Sequence, residues 1–102
     1  MAEDPKPRWT FLTNHARTLI CIARDPGARL RDIGEHVGIT ERAAHRIVAE
    51  LLAAGYITRK RDGRRSRYTI NKHLPLPDPL AREQNVGDLL SALATTEPAG
   101  SG

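Results

Sequence analysis

The chain has 102 residues, a formal net charge of +4 and a single cysteine. This length predicts one small domain, and one cysteine excludes both an internal disulfide and a multi-cysteine metal site. With no apolar stretch near the ~20 residues of a membrane helix and no apolar signal region at the N-terminus, a cytoplasmic protein is expected, and a pI near 9.8 favours an anionic partner.

The first predicted helix runs from about Asn14 to Arg24 behind a Thr13 or Asn14 cap. Its apolar face is expected to comprise Ala16, Leu19, Ile20 and Ala23. Asp25-Pro26-Gly27 then predicts a type II turn, since proline presets φ and glycine accepts φ > 0. Ala28-Arg29-Leu30, which follows, has the length of a short strand.

A second helix is predicted from about Arg31 to Val37, and a third from a Thr40 cap to about Ala54. Only Gly38-Ile39-Thr40 separates them, and so short a connection forces the helices to cross steeply, as in a helix-turn-helix. Gly34 is expected where their backbones approach. The buried face of the third helix is predicted from its i, i+3, i+4, i+7 pattern: Ala44, Ile47, Val48 and Leu51.

The stretch RKRDGRRSR, residues 59–67, carries six of the sixteen Lys and Arg residues and one acid, a local net charge of +5. Asp62-Gly63 at its centre predicts a type I′ turn between strands at about Tyr56–Arg61 and Arg64–Asn71. The cations would project from a two-stranded ribbon, which suits contact with a polyanion.

The remaining segments are expected to flank a single domain. Residues 1–8 are predicted to form a flexible arm, residues 9–72 the domain, residues 73–95 a Pro-rich linker with a C-terminal helix, and residues 96–102 a disordered tail. His73 to Leu80 is expected to be extended, and Asn85 to cap the last helix. The predicted class is α+β, mainly α, with a three-helix core, a hairpin and a short C-terminal helix.

The segment LRDIGEHVGITERAAHRIVAELLAAGYI, residues 30–57, resembles the winged helix-turn-helix of bacterial transcriptional regulators. The likeness is greatest to MarR-type regulators, with Lrp-type and ArsR-type domains next. The wing sequence RDGRRSRY also resembles the MarR-type wing. That resemblance implies that Asp62 steadies an arginine, either Arg64 or Arg65, that reaches the minor groove.

The resemblance and the helical geometry together predict a double-stranded DNA interface. On the outer face of the third helix, Arg42 or Arg46 would pair with guanine, although a solvated face with Arg46 paired to Glu50 is the alternative. The first helical turn would bind a phosphate and neighbouring bases. The DNA-binding residues predicted are Thr40, Glu41, Arg42, Ala43, His45 and Arg46 on the helix, and Arg59, Arg61, Arg64, Arg65 and Arg67 on the wing.

The expected function is a sequence-specific transcriptional regulator that binds a pseudo-palindromic site as a homodimer. The residues assigned to dimerisation are Leu19, Ile22, Val86, Leu89, Leu90 and Leu93, and docking of the C-terminal stripe on its own domain is the alternative. A winged-helix protein-interaction adaptor is the alternative function. No enzymatic residue set, cofactor or metal site is predicted, and the sequence leaves open whether a small-molecule effector binds. Cys21 is expected to be a small buried apolar residue, with a redox-sensing thiol as the alternative.

Overall fold

The computed structural model describes residues 8–94, so the predicted tail and all of the predicted arm except Arg8 lie outside the described residues. The elements are α1 (Asn14–Arg24), α2 (Leu30–Val37), α3 (Glu41–Ala53), β1 (Ile57–Asp62), β2 (Arg65–Ile70), a 3-10 turn (Pro79–Ala81) and α4 (Val86–Leu93). This order confirms the predicted winged-helix class. In the described part of the chain, every helix is too short or too polar to cross a membrane.

Helix α1 is the central element, because it packs against α2, α3, α4 and β2. Its N-terminus is capped by the Thr13 hydroxyl, which accepts from the Ala16 amide at 3.1 Å. Thr18, Leu19 and Ile22 are buried, while the remaining members of the predicted apolar face, Ala16, Ile20 and Ala23, are half-buried. Only Leu19 of the four predicted residues is therefore fully buried, and Thr18 and Ile22 beside it complete the buried set. A helix that packs on several sides has no single apolar stripe.

The turn between α1 and α2 differs from the prediction in two ways. Gly27 does not have a positive φ, so the turn is not type II. The Asp25 carboxylate organises it instead, accepting from the Gly27 amide at 3.2 Å, while the Ala28 amide donates to the Asp25 carbonyl at 3.0 Å. The short strand is also wrong, because the Asp32 carboxylate accepts from the Arg29 amide and α2 already begins at Leu30.

The helix-turn-helix depends on the absence of a side chain at Gly34. A Cβ atom there would lie 2.9 Å from the Ile39 carbonyl oxygen, closer than such contacts occur. The Gly34 carbonyl accepts from both the Gly38 and Ile39 amides, at 2.8 and 2.9 Å. Gly38 takes the left-handed conformation, with φ of 87°. The predicted inner face of α3 is confirmed as buried: Ala44, Ile47, Val48 and Leu51.

The wing is an antiparallel hairpin whose register runs from Ile57 opposite Ile70 to Asp62 opposite Arg65. Its loop is therefore Gly63-Arg64, one residue beyond the predicted Asp62-Gly63. Only Gly63 has a positive φ, 65°, which is the pattern of a type II′ turn and excludes type I′. Glycine at the first central position satisfies this geometry, and Asp62 remains in its strand.

After the wing, the chain folds back on its own domain. The Val86 amide donates to the Leu74 carbonyl and the Leu76 amide to the Gln84 carbonyl, both at 2.9 Å. The predicted extended segment is interrupted by the 3-10 turn at Pro79–Ala81. Asn85 caps α4 as predicted, its side-chain oxygen accepting from the Asp88 amide at 2.8 Å.

This return path corrects the assignment of dimerisation residues. Four of the six are buried within the chain's own core, so they stabilise the monomer's fold and present no surface to a second copy: Leu19, Ile22, Val86 and Leu90. Leu89 is half-buried and Leu93 is 38% exposed. In the structure, the apolar stripe of α4 therefore packs against α1.

Gly34→Ala is expected to lower the free energy of unfolding by about 1–2 kcal/mol, because overpacking against the Ile39 carbonyl exceeds the helix propensity gained by alanine. Urea denaturation followed by circular dichroism measures this change. The control is Glu35→Ala on the exposed face of the same helix, expected within about 0.5 kcal/mol of the parent. Equal stability of the two variants would contradict the close approach.

Leu90→Ala is expected to cost about 2 kcal/mol or more of unfolding free energy, because a buried leucine leaves a cavity. Leu93→Ala, on the same helix but partly exposed, should cost less than about 1 kcal/mol. Thermal unfolding and sedimentation velocity distinguish the two uses of α4. Dissociation of a dimer by Leu90→Ala without loss of stability would show that α4 is an interface helix.

Candidate nucleic-acid interface

The outer face of α3 presents Arg42, His45 and Arg46 to solvent. The Arg46 Nε atom lies 4.0 Å from Glu50 Oε2, and Glu50 Oε1 lies 2.6 Å from His15 Nε2. The Arg46 side chain is nonetheless 68% exposed. An exposed i, i+4 pair contributes only about 0.3–0.5 kcal/mol, so this contact orients Arg46 without withholding it from a stronger partner.

The N-terminus of α3 carries free hydrogen-bond donors. The Thr40 hydroxyl oxygen accepts from the Ala43 amide at 3.0 Å, which leaves its hydrogen available to donate. The amides of Glu41 and Arg42 lie in the first turn, where an α-helix provides no internal partner. Together with the helix dipole, these donors suit a phosphate oxygen. Glu41 is exposed at this end and Ala43 is half-buried.

The wing displays its cations in two sets, because successive side chains of a strand point to opposite faces. Arg59 and Arg61 share a face with buried Ile57 but lie beyond the core and are exposed. On the other face Lys60 lies directly opposite Arg67. Like charges in direct cross-strand contact destabilise a hairpin, and a polyanion would relieve that repulsion.

Arg65 differs from the other wing cations. Its Nη2 atom donates to the Gly27 carbonyl at 2.7 Å, which links the wing to the turn between α1 and α2. In the described part of the chain Asp62 forms no ion pair, although it lies opposite Arg65 in the register. The structure thus supplies Arg65 with a backbone partner in place of the predicted aspartate.

Several residues near this surface were absent from the predicted set. His15 contacts Glu50 from α1, and Lys60 belongs to the basic stretch itself. A cleft of about 410 Å³ between the wing and the start of α2 is lined by Gly27, Ala28, Arg29, Leu30, Arg59, Arg64, Arg65, Ser66 and Tyr68. Lys60 was recognisable from the charge of the stretch, whereas the positions of His15 and Arg29 depend on contacts between distant segments.

A family model described as the MarR family matches residues 10–67. The chain belongs to the MarR family. The match extends from the segment before α1 into β2, so it includes all of α3 and the basic stretch of the wing, residues 59–67. MarR-family proteins are winged-helix transcriptional regulators that bind DNA, typically as dimers. Family membership confirms the MarR-type resemblance and makes this chain a member of a regulator family rather than of an enzyme family. No curated protein matches the chain.

Cys21 lies on the side of α1 that lines a separate cavity of about 510 Å³. Burial, followed by the negative charges of Asp25 and Asp32, raises the pKa of its thiol above the ordinary value. The reactive form of cysteine is the thiolate, so a raised pKa lowers its reactivity at neutral pH. Cys21 is half-buried and not fully buried as expected.

Cys21 in the folded protein is expected to react with a thiol-specific reagent at pH 7.5 about tenfold or more slowly than free cysteine, because little thiolate is present and access is restricted. The rate should rise with pH and not level off until the pH exceeds the ordinary thiol pKa. Stopped-flow absorbance measures it, with the urea-unfolded chain as the control. Fast reaction at neutral pH would contradict a raised pKa.

Proposed function

We propose that this MarR-family protein is a sequence-specific regulator of transcription in which α3 enters the major groove of double-stranded DNA and the wing contacts the backbone and the adjacent minor groove. The observation that supports this proposal is that α3 and the wing bury their apolar residues in one core and leave their cations exposed. The wing has a local charge of +5 on a chain of +4, which concentrates the attraction for phosphates there.

Base selection is assigned to α3. Arg42 and Arg46 project together from one face, and an arginine fork pairs bidentately with guanine O6 and N7. His45 lies on the same exposed face, Glu41 is placed to accept from cytosine N4, and Ala43 is small enough to contact a thymine methyl group. Thr40 and the first amides of the helix fix its position on a phosphate.

Affinity is assigned to the wing, where the exposed arginines bind phosphates and release counterions: Arg59, Arg61, Arg64 and Arg67. These contacts do not depend on base sequence, so they contribute equally to every duplex. Asp62 and Gly63 form the end of the ribbon, with Gly63 supplying the left-handed residue of the turn. One arginine of the wing reaches the minor groove.

The proposed assembly is a homodimer on a pseudo-palindromic site in the bacterial nucleoid, with half-sites one helical turn or a multiple of it apart. Since Val86 and Leu90 of the α4 stripe are buried, the interface falls to apolar side chains that remain exposed, notably Phe11 at 90% and Leu93. Leu12, next to Phe11, and Leu93 line the same cavity, so the segment before α1 and the end of α4 lie at one surface.

Fluorescence anisotropy with duplex DNA at several salt concentrations tests the proposal. We expect micromolar or tighter binding with a steep loss of affinity as salt rises, since phosphate contacts dominate. Arg42→Ala should cost about 1–3 kcal/mol on the preferred duplex and little on others. Arg67→Ala should weaken all duplexes and reduce the salt slope by about one. Random-duplex selection first identifies the preferred site.

Arg82→Ala is the matched control, because it removes one exposed arginine outside α3 and the wing and so tests the effect of net charge alone. It should change neither base preference nor, by more than a small fraction, the salt slope. No binding at low salt would refute the proposed function. Binding without any preferred duplex would instead favour the adaptor alternative, in which the winged helix holds a protein partner.

A further inference from the structure

The wing is held to the rest of the domain at its base and at one point near its end. At the base, Ile57 and Tyr68 are buried in the core, and the Tyr68 amide donates to the Pro26 carbonyl at 2.9 Å. Near the end, the Arg65 guanidinium donates to the Gly27 carbonyl at 2.7 Å. Adjacent carbonyls of one turn thus accept from two positions on β2.

The turn that provides these carbonyls is itself well ordered by hydrogen bonds. The Asp25 carboxylate accepts from the Gly27 amide, and the Ala28 amide donates to the Asp25 carbonyl. Gly27 and Ala28 are buried. A guanidinium bound to a fixed carbonyl on a buried turn limits how far the outer half of the ribbon can swing away from the domain.

This contact occupies the side chain that the family resemblance left as one of two minor-groove candidates. The Arg65 guanidinium donates a hydrogen bond within its own protein, and the Arg67 guanidinium lies beside it. A Cβ atom placed on Gly27 would lie 3.7 Å from both Arg65 Nη2 and Arg67 Nη1. Arg64 is the second residue of the Gly63-Arg64 loop, is exposed, and has no hydrogen-bond or ion-pair partner among the described residues.

We infer that Arg65 is a positioning residue that fixes the angle of the wing against the turn between α1 and α2. The inference concerns the free protein, and only its consequence for DNA binding rests on the proposed function. The wing then meets DNA at a preset angle, because the tie at Gly27 limits the swing before binding.

The free protein tests the positioning role. Arg65→Gln removes the guanidinium that reaches the Gly27 carbonyl, and Arg64→Gln, at an exposed position of the same loop region, is its matched control. Hydrogen exchange of the wing amides, including Tyr68, measured by NMR should be about three- to tenfold faster in Arg65→Gln and unchanged in Arg64→Gln. Circular dichroism confirms that both variants are folded. Unchanged exchange in Arg65→Gln would overturn the positioning role.

A protein that binds no duplex at low salt would refute the proposed function, yet the exchange measurement would still decide whether Arg65 holds the wing.

Discussion

The close approach of α2 and α3 at Gly34 is the contact on which the rest of the structure depends. With no side chain there, the Ile39 carbonyl lies against the helix, and a three-residue connection becomes possible. That connection sets the crossing of the two helices, which in turn decides which residues of α3 face the core. Once Ala44 and Ile47 are buried, Arg42 and Arg46 have only the solvent side left. The exposed cationic face of α3 is thus a consequence of packing.

The same core holds the other two parts of the interface. Helix α1 packs against α2, α3, α4 and β2, so it carries the base of the wing and the return of the C-terminal segment together. The turn at its C-terminus accepts from Tyr68 and from Arg65, which joins the wing's angle to the end of α1. A cationic ribbon with Lys60 opposite Arg67 is not stabilised by its own charges, and it relies on these contacts until an anion binds.

Much of the fold was predictable because its signals are local. Thr13 and Asn85 were recognised as caps, since a side-chain oxygen at that position satisfies an amide within the next turn. Gly38 was recognised as a helix end for its left-handed conformation. The turns were less predictable. At Gly27 the turn is stabilised by the Asp25 carboxylate and does not have the predicted positive φ. At the wing the loop is Gly63-Arg64, one residue later than predicted, because the register also depends on where β2 meets the core.

The sequence by itself determined the helices, the hairpin, the helix-turn-helix spacing and the place where positive charge gathers, because periodicity, capping and charge act over a few residues. Only the tertiary structure decided that Val86 and Leu90 of the α4 stripe are buried, that His15 contacts Glu50, and that Arg65 donates to Gly27. Each of these joins residues that packing alone brings together. Every residue has a backbone carbonyl, so the sequence does not show which carbonyl accepts a hydrogen bond from Arg65.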